Sequence, residues 1–292
     1  MIEDMIRPYY IDLEMSDLSE VTVRDYISGI SSFLSYLDEA KITPKFENVS
    51  ETVVAQYLRH LHNKGNSNAT IVKEAKWLKY FFAYCVQKGV IASNPVEKRM
   101  FPKVIHITPE CLTEDEIRAI LEATDRATGS HRTRDKVLIL LLLYTCLRPS
   151  EVVYLNWDDI DFEKNAIRII HRKTTGIKVI PMNDELKKAL LAHREASLPE
   201  GQEALLVGNN GRRIIRVSLD SIIRETARKA GVKKKVNCYT LRRTSIWQMV
   251  KYGANPQEIQ KIFSNKCNTI TAMAYNNLCL NMQKHMKEKQ EV

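Results

Sequence analysis

The stretch from Asn94 to Pro109 constrains this chain most, because it holds Pro95, Pro102 and Pro109 and shows neither a helical nor a strand period. Proline fixes φ and removes a backbone donor, so no regular element runs through the stretch, and the chain on each side must build its own core. The length of 292 residues also exceeds what one core usually organises. The expected division is therefore residues 1–100, a linker over 101–110, and residues 111–292. Before the linker every pattern is helical. Tyr26, Ile27, Ile30, Phe33, Leu34 and Leu37 predict an amphipathic helix over about Val23 to Leu37. Ser50 is the expected N-cap of a second helix carrying Val53, Val54, Tyr57, Leu58 and Leu61. A third runs from about Thr70 to Val86 on Ile71, Trp77, Leu78, Phe81 and Phe82, and Gly89 is its stop.

Beyond the linker the period changes once. Thr113 with Glu116 three residues on predicts a capping box before an apolar helix, and Val137 to Tyr144 predicts a buried one. Ala166 to Ile170 and Lys178 to Met182 are then β-rich runs around Thr174, Thr175 and Gly176, which predicts a hairpin. Helical patterns resume from about Glu185, from Ser218 to Ala230 and from Leu241 to Tyr252. The fold class read this way is mainly α with one small β-hairpin or sheet.

Charge narrows the function classes. Residues 1–100 hold 12 Lys and Arg against 13 Asp and Glu, a net of −1, which leaves 32 against 22, a net of +10, for residues 101–292. That excess suits a polyanionic partner. The longest apolar run, Val137 to Tyr144, is too short to span a bilayer, and Glu3, Asp4 and Arg7 do not resemble the start of a secretory signal, so a cytoplasmic protein with no membrane partner is expected. The cysteines at 85, 111, 146, 238, 267 and 279 form no CxxC pair, and the histidines form no HxxxH or HxxE cluster. Neither a zinc site, a disulfide framework nor metal-dependent nuclease chemistry is suggested.

The next step comes from a resemblance. Tyr144 to Phe162, "YTCLRPSEVVYLNWDDIDF", resembles the box around the first catalytic arginine of the tyrosine recombinases, or phage integrases, with the arginine at Arg148 and the glutamate at Glu151. Pieces such as "TVRDYISGISSFLSYL" and "NATIVKEAKWLKYFFAYCVQKGVIASNP" are similar to the family's core-binding domain, so the likeness extends over nearly the whole chain. The resemblance implies an N-terminal helical, SAM-like core-binding domain and an α+β catalytic domain ending in a C-terminal tail. It puts the hairpin lysine at Lys173, eight residues before Pro181, the second arginine at Arg242 and the nucleophile at Tyr275. Two departures stand out. Where the family usually reads His-x-Leu-Arg-His, this chain has Tyr239 and Arg243 in the histidine positions, and the histidine of a Leu-Gly-His motif is replaced by Asn265 or Lys266.

What the resemblance implies is a site-specific recombinase, a DNA strand transferase that cleaves and rejoins duplex DNA through a 3′-phosphotyrosyl link. Guanidinium forks suit the nonbridging oxygens of a pentavalent transition state, a lysine can deliver a proton to the departing 5′-hydroxyl, and a tyrosyl link splits one displacement into two. By this chemistry no metal or nucleotide cofactor is required. Tyr239 and Asn265 can still donate hydrogen bonds, so they are candidate site members in altered form. The alternative is a cleavage-deficient DNA-binding relative acting as a regulator or architectural protein; a type IB topoisomerase or telomere resolvase is a third reading that the short chain disfavours. The expected partners are double-stranded DNA with short core sites, held in a C-shaped clamp, and further copies of the chain in a tetramer on DNA assembled through the tail after Tyr275. A helical domain is expected to begin near residue 1, with no arm-binding domain expected before it. Integration or excision of a mobile element and chromosome dimer resolution stay open, as do the target sequence and any accessory protein.

Overall fold

The computed structural model describes residues 1–104, 110–129, 131–170, 177–197 and 202–254. The chain divides into two compact units, Met1–Ile107 and Thr108–Val292.

Four helices build the first unit: α1 (Ile6–Glu14), α2 (Glu20–Glu39), α3 (Glu51–Asn63) and α4 (Asn68–Gln87). Each of the last three starts on a serine whose hydroxyl accepts an amide from the first turn: Ser19 from Thr22, Ser50 from Val53 and Ser67 from Thr70. The sequence reading singled out no helix before residue 23. α1 forms there although it contains Pro8, because a proline in the first turn sacrifices an amide that has no intrahelical acceptor anyway. Phe33, Tyr57, Phe81 and Phe82 are buried at the centre, with Phe33 edge-on to Tyr57 at 5.1 Å and to Phe82 at 6.2 Å. Gly29 lets α2 and α4 approach, since a Cβ there would lie 2.5 Å from Cε3 of Trp77.

The second unit starts with α5 (Glu114–Arg126), and its capping box is present: the Thr113 hydroxyl accepts from Glu116 N and Glu116 accepts from Thr113 N. α6 (Arg132–Thr145) carries the apolar run, and Val137 to Leu143 are all at most 1% exposed, so this helix is enclosed on every side. The short α7 (Pro149–Tyr154) leads into a three-stranded antiparallel sheet of β1 (Ile160–Asp161), β2 (Ala166–Ile170) and β3 (Ile177–Pro181) in the order β1-β2-β3. The expected hairpin is therefore the larger part of a sheet, and its turn lies outside the described residues. Register pairs Ile167 with Ile180 and Ile169 with Lys178. Opposed residues share a face. Ile167, Ile169 and Ile180 are buried, so Lys178 belongs to the inward face. α8 (Asp184–Ser197), α9 (Arg216–Lys229) and α10 (Cys238–Lys251) complete the unit. No helix among the described residues is long and apolar enough to cross a membrane.

Candidate active site

The site grows out of the way α6 stops. Cys146 follows the helix in the left-handed region, at φ 53° and ψ 25°, a conformation that ends a helix by turning the chain away. Glycine usually occupies such a position because a Cβ crowds the backbone there. Two residues on, Arg148 precedes Pro149 and is extended at φ −71° and ψ 149°, as the residue before a proline must be. Pro149 then opens α7 at the position where its missing amide costs nothing. Glu151, in the first turn, reaches back and accepts from the Arg148 amide at 2.6 Å and from Arg148 Nη1 at 3.1 Å. One carboxylate thus caps the helix and orients the guanidinium. The Arg148 side chain is 40% exposed and that of Glu151 13%, so the cation faces outward over a largely covered anion.

The second arginine arrives from α10. Asn237 caps that helix through Thr240 N at 2.9 Å. Arg242 is buried and donates from Nη1 to the carbonyl of Cys146, while Ser245, one turn further, meets the Cys146 thiol at 2.7 Å. Burial pushes that thiol up to about 11, so at neutral pH it remains a protonated hydrogen-bonding group. One residue at the end of α6 therefore holds α10 twice, and residues 148 and 242 are drawn to the same helix end.

Lys178 is the member that sequence reasoning missed. Burial on the inward face of β3 holds its ammonium below the ordinary lysine value; Glu151 counteracts this, and Arg242 and Arg148 add to it. Two arginines, a lysine and Glu151 thus share one electrostatic environment. The alternation in "IKVIP" was the available signal, since it puts Lys178 on the same side as Ile180.

Tyr239 sits in the first turn of α10, three residues before Arg242, and is 44% exposed. Arg216, at the start of α9, lies over its ring with Cζ 5.5 Å from the centroid and donates from Nη2 to its hydroxyl at 3.4 Å. Arg243 turns elsewhere: it donates to Thr240 Oγ1 at 3.4 Å, and burial lowers its pKa, with Cys111 as the opposing influence. Arg148, Arg242 and Tyr239 are thus described. Lys173, Asn265, Lys266, Tyr275 and the tail after it lie outside the described residues.

The second unit thus brings two arginines to one helix end, after an all-helical first unit. Comparison with known proteins gives the class. Residues 110–281 match the phage integrase family, and residues 5–102 match the phage integrase SAM-like domain. This chain is 27% identical over 256 residues to the tyrosine recombinase XerC of Roseiflexus castenholzii, covering 85% of this chain and 81% of that one. It is 24% identical over 272 residues to XerD of Oceanobacillus iheyensis, covering 91% of both. Among solved structures, the Tn1549 transposon integrase in complex with a circular intermediate DNA superposes with a TM-score of 0.75 at 18% identity, covering 94% of each chain. A lambda integrase dimer bound to a core site gives 0.74 at 18% identity, covering 94% of this chain and 76% of that one. The chain belongs to the phage integrase family. Its activity is that of a site-specific tyrosine recombinase, an enzyme that moves DNA strands by transesterification.

Proposed function

We propose that this protein cleaves and rejoins duplex DNA with Tyr275 as nucleophile, Arg148 and Arg242 on the nonbridging phosphate oxygens, and Lys173 as proton donor to the leaving 5′-oxygen. The Tyr275 phenol gives up its proton to solvent as its oxygen bonds to phosphorus, the P–O5′ bond breaks, and the 5′-oxygen leaves as a hydroxyl with the lysine's proton. The reverse attack by a 5′-hydroxyl of the partner strand restores the diester, so no outside energy source enters. Tyr239, and Asn265 or Lys266, stand at the positions of the family's histidines as hydrogen-bond donors. The observation that supports the reading best is the bond from Arg242 to the carbonyl of Cys146, which joins a guanidinium on α10 to the turn that delivers Arg148. No metal or nucleotide takes part in this scheme.

The partner in this reading is duplex DNA with short core sites. In this reading the tail after Tyr275 docks on a neighbouring copy to build a tetramer. The basic excess of residues 101–292 and the DNA-bound relatives support the DNA partner. The reading places the protein in the cytoplasm, acting on a chromosome or a mobile element.

A nicked suicide duplex tests the assignment. Tyr275→Phe abolishes the covalent adduct and leaves DNA affinity nearly unchanged, whereas Tyr239→Phe only slows adduct formation. Tyr239 is too near Arg242 on the same helix for the in-line attack that displacement needs. Adduct formation by Tyr275→Phe, or a nucleotide mapped to Tyr239, overturns the assignment. An unsubstituted protein that binds DNA and forms no adduct is the cleavage-deficient relative instead.

A further inference from the structure

We propose that Arg216 is the positioning residue for Tyr239, and that the two side chains act as one unit that presents the tyrosine hydroxyl to the scissile phosphate in place of the absent histidine. This rests on the recombinase reading above. The argument begins with how α9 and α10 meet. Arg216 and Asp220 lie four apart on α9, hence on one face. Asp220 accepts from the amide of Cys238 at 2.9 Å, while Arg216 covers the ring of the next residue, Tyr239, and donates to its hydroxyl. Two successive residues in the first turn of α10 are thus gripped by one face of α9. That face is itself fixed, because Leu219 and Ile223 are at most 1% exposed.

The chemistry follows from which group donates. Arginine has donors only, so a phenol that receives a hydrogen bond from Arg216 keeps its own hydrogen for another acceptor. With the ring held under the guanidinium, that hydrogen is restricted to a narrow range of directions, which a lone exposed tyrosine would not be. The guanidinium thus meets Tyr239 while Asp220, the carboxylate four residues on, is bonded to the Cys238 amide. An oriented neutral donor beside a cation matches a phosphate oxygen gaining charge in the transition state. Tyr239 and Arg242, three apart on α10, then address the same anion from one helix.

Arg216 could instead be an independent phosphate contact, and a double-mutant cycle separates the two. Adduct formation on a nicked suicide duplex at saturating DNA is measured for the unsubstituted protein, Arg216→Ala, Tyr239→Phe and the double variant. Arg216→Ala is expected to slow the step about 10-fold, less than the roughly 10²-fold or more for losing an oriented donor outright because the Tyr239 hydroxyl itself remains, and to add almost nothing once Tyr239→Phe is present. Arg216→Lys keeps the cation over the ring without the fork and recovers part of the rate. Equal slowing by Arg216→Ala in both backgrounds overturns the proposal, as does an effect confined to Kd and its salt dependence. If the unsubstituted protein binds DNA without forming an adduct, the recombinase reading fails on its own. The pair is then judged by Kd for intact duplex, where additive effects of Arg216→Ala and Tyr239→Phe overturn it.

Discussion

Replacing Cys146 tests the idea that a left-handed residue, held by two bonds, sets up the site. Cys146→Ala removes a fully buried thiol, about 1 kcal/mol of transfer energy, and strips Ser245 of its 2.7 Å partner, about another 1 kcal/mol. The strain at φ 53° remains, because alanine keeps its Cβ. Cys146→Gly loses the buried Cβ as well, about another 0.8 kcal/mol, but releases about 1–2 kcal/mol of left-handed strain against about 0.5–1 kcal/mol of extra backbone entropy. The glycine and alanine variants are therefore within about 1 kcal/mol of each other, whereas at a buried site in an ordinary helix glycine trails alanine by well over about 1 kcal/mol. Cys146→Val is worse than alanine despite its larger apolar surface, since branching at Cβ is least compatible with positive φ. Urea unfolding with matched m-values gives the order directly. Adduct formation by the glycine variant stays close to that of the unsubstituted protein, because the carbonyl that receives Arg242 is unchanged. A glycine variant that trails the alanine variant by about 2 kcal/mol or more, as at an ordinary buried helix position, would refute the argument.

Three further outcomes are expected. Gly29→Ala destabilises the first unit by about 1–3 kcal/mol instead of gaining helix propensity, since the added methyl meets the Trp77 ring at 2.5 Å; a raised Tm would contradict this. His193 is buried between the Thr133 hydroxyl at 3.1 Å and the Leu205 carbonyl at 3.0 Å, and burial depresses its pKa below the ordinary 6.5. The folded state then binds fewer protons than the unfolded chain, so its contribution is full above pH 6.5 and is lost as pH falls from there through the depressed value. His193→Gln should flatten that part of the stability-pH profile, and an unchanged slope would exclude His193 as its source. Lys178→Met leaves stability equal or higher, because it removes an ammonium from the inward face of β3, but slows adduct formation by removing a cation beside Arg148 and Arg242. Unchanged adduct formation would take Lys178 out of the site.

Period and capping made the elements legible. The helices at residues 20–39, 51–63 and 68–87 came from apolar stripes, with a serine cap read in advance only at Ser50, and the hairpin from two β-rich runs, because these signals depend on neighbours a few residues apart. α1 was not legible because Pro8 looks like a breaker until it is known to occupy a first turn. Motif likeness brought out Arg148 and Arg242, and Tyr239 as a departure, but not what each one touches.

The unread part of the site is made of contacts between distant segments. Cys146 meets Ser245 across 99 residues and Arg242 across 96, and Arg216 meets Tyr239 across 23. Nothing in a local window marks Cys146 as left-handed, since the usual marker of that conformation is glycine and a cysteine stands there instead. Lys178 was hidden for a related reason. Its alternation was visible, but strand alternation alone does not say which face is buried, and only pairing with β2, whose Ile167 and Ile169 are covered, turns the lysine inward. Motif likeness thus brought out the candidate residues. Their placement depends on one strained turn after α6 and on the sheet register beside it, so variants at Cys146 and Lys178 test the assembly of the site more directly than removal of the arginines themselves.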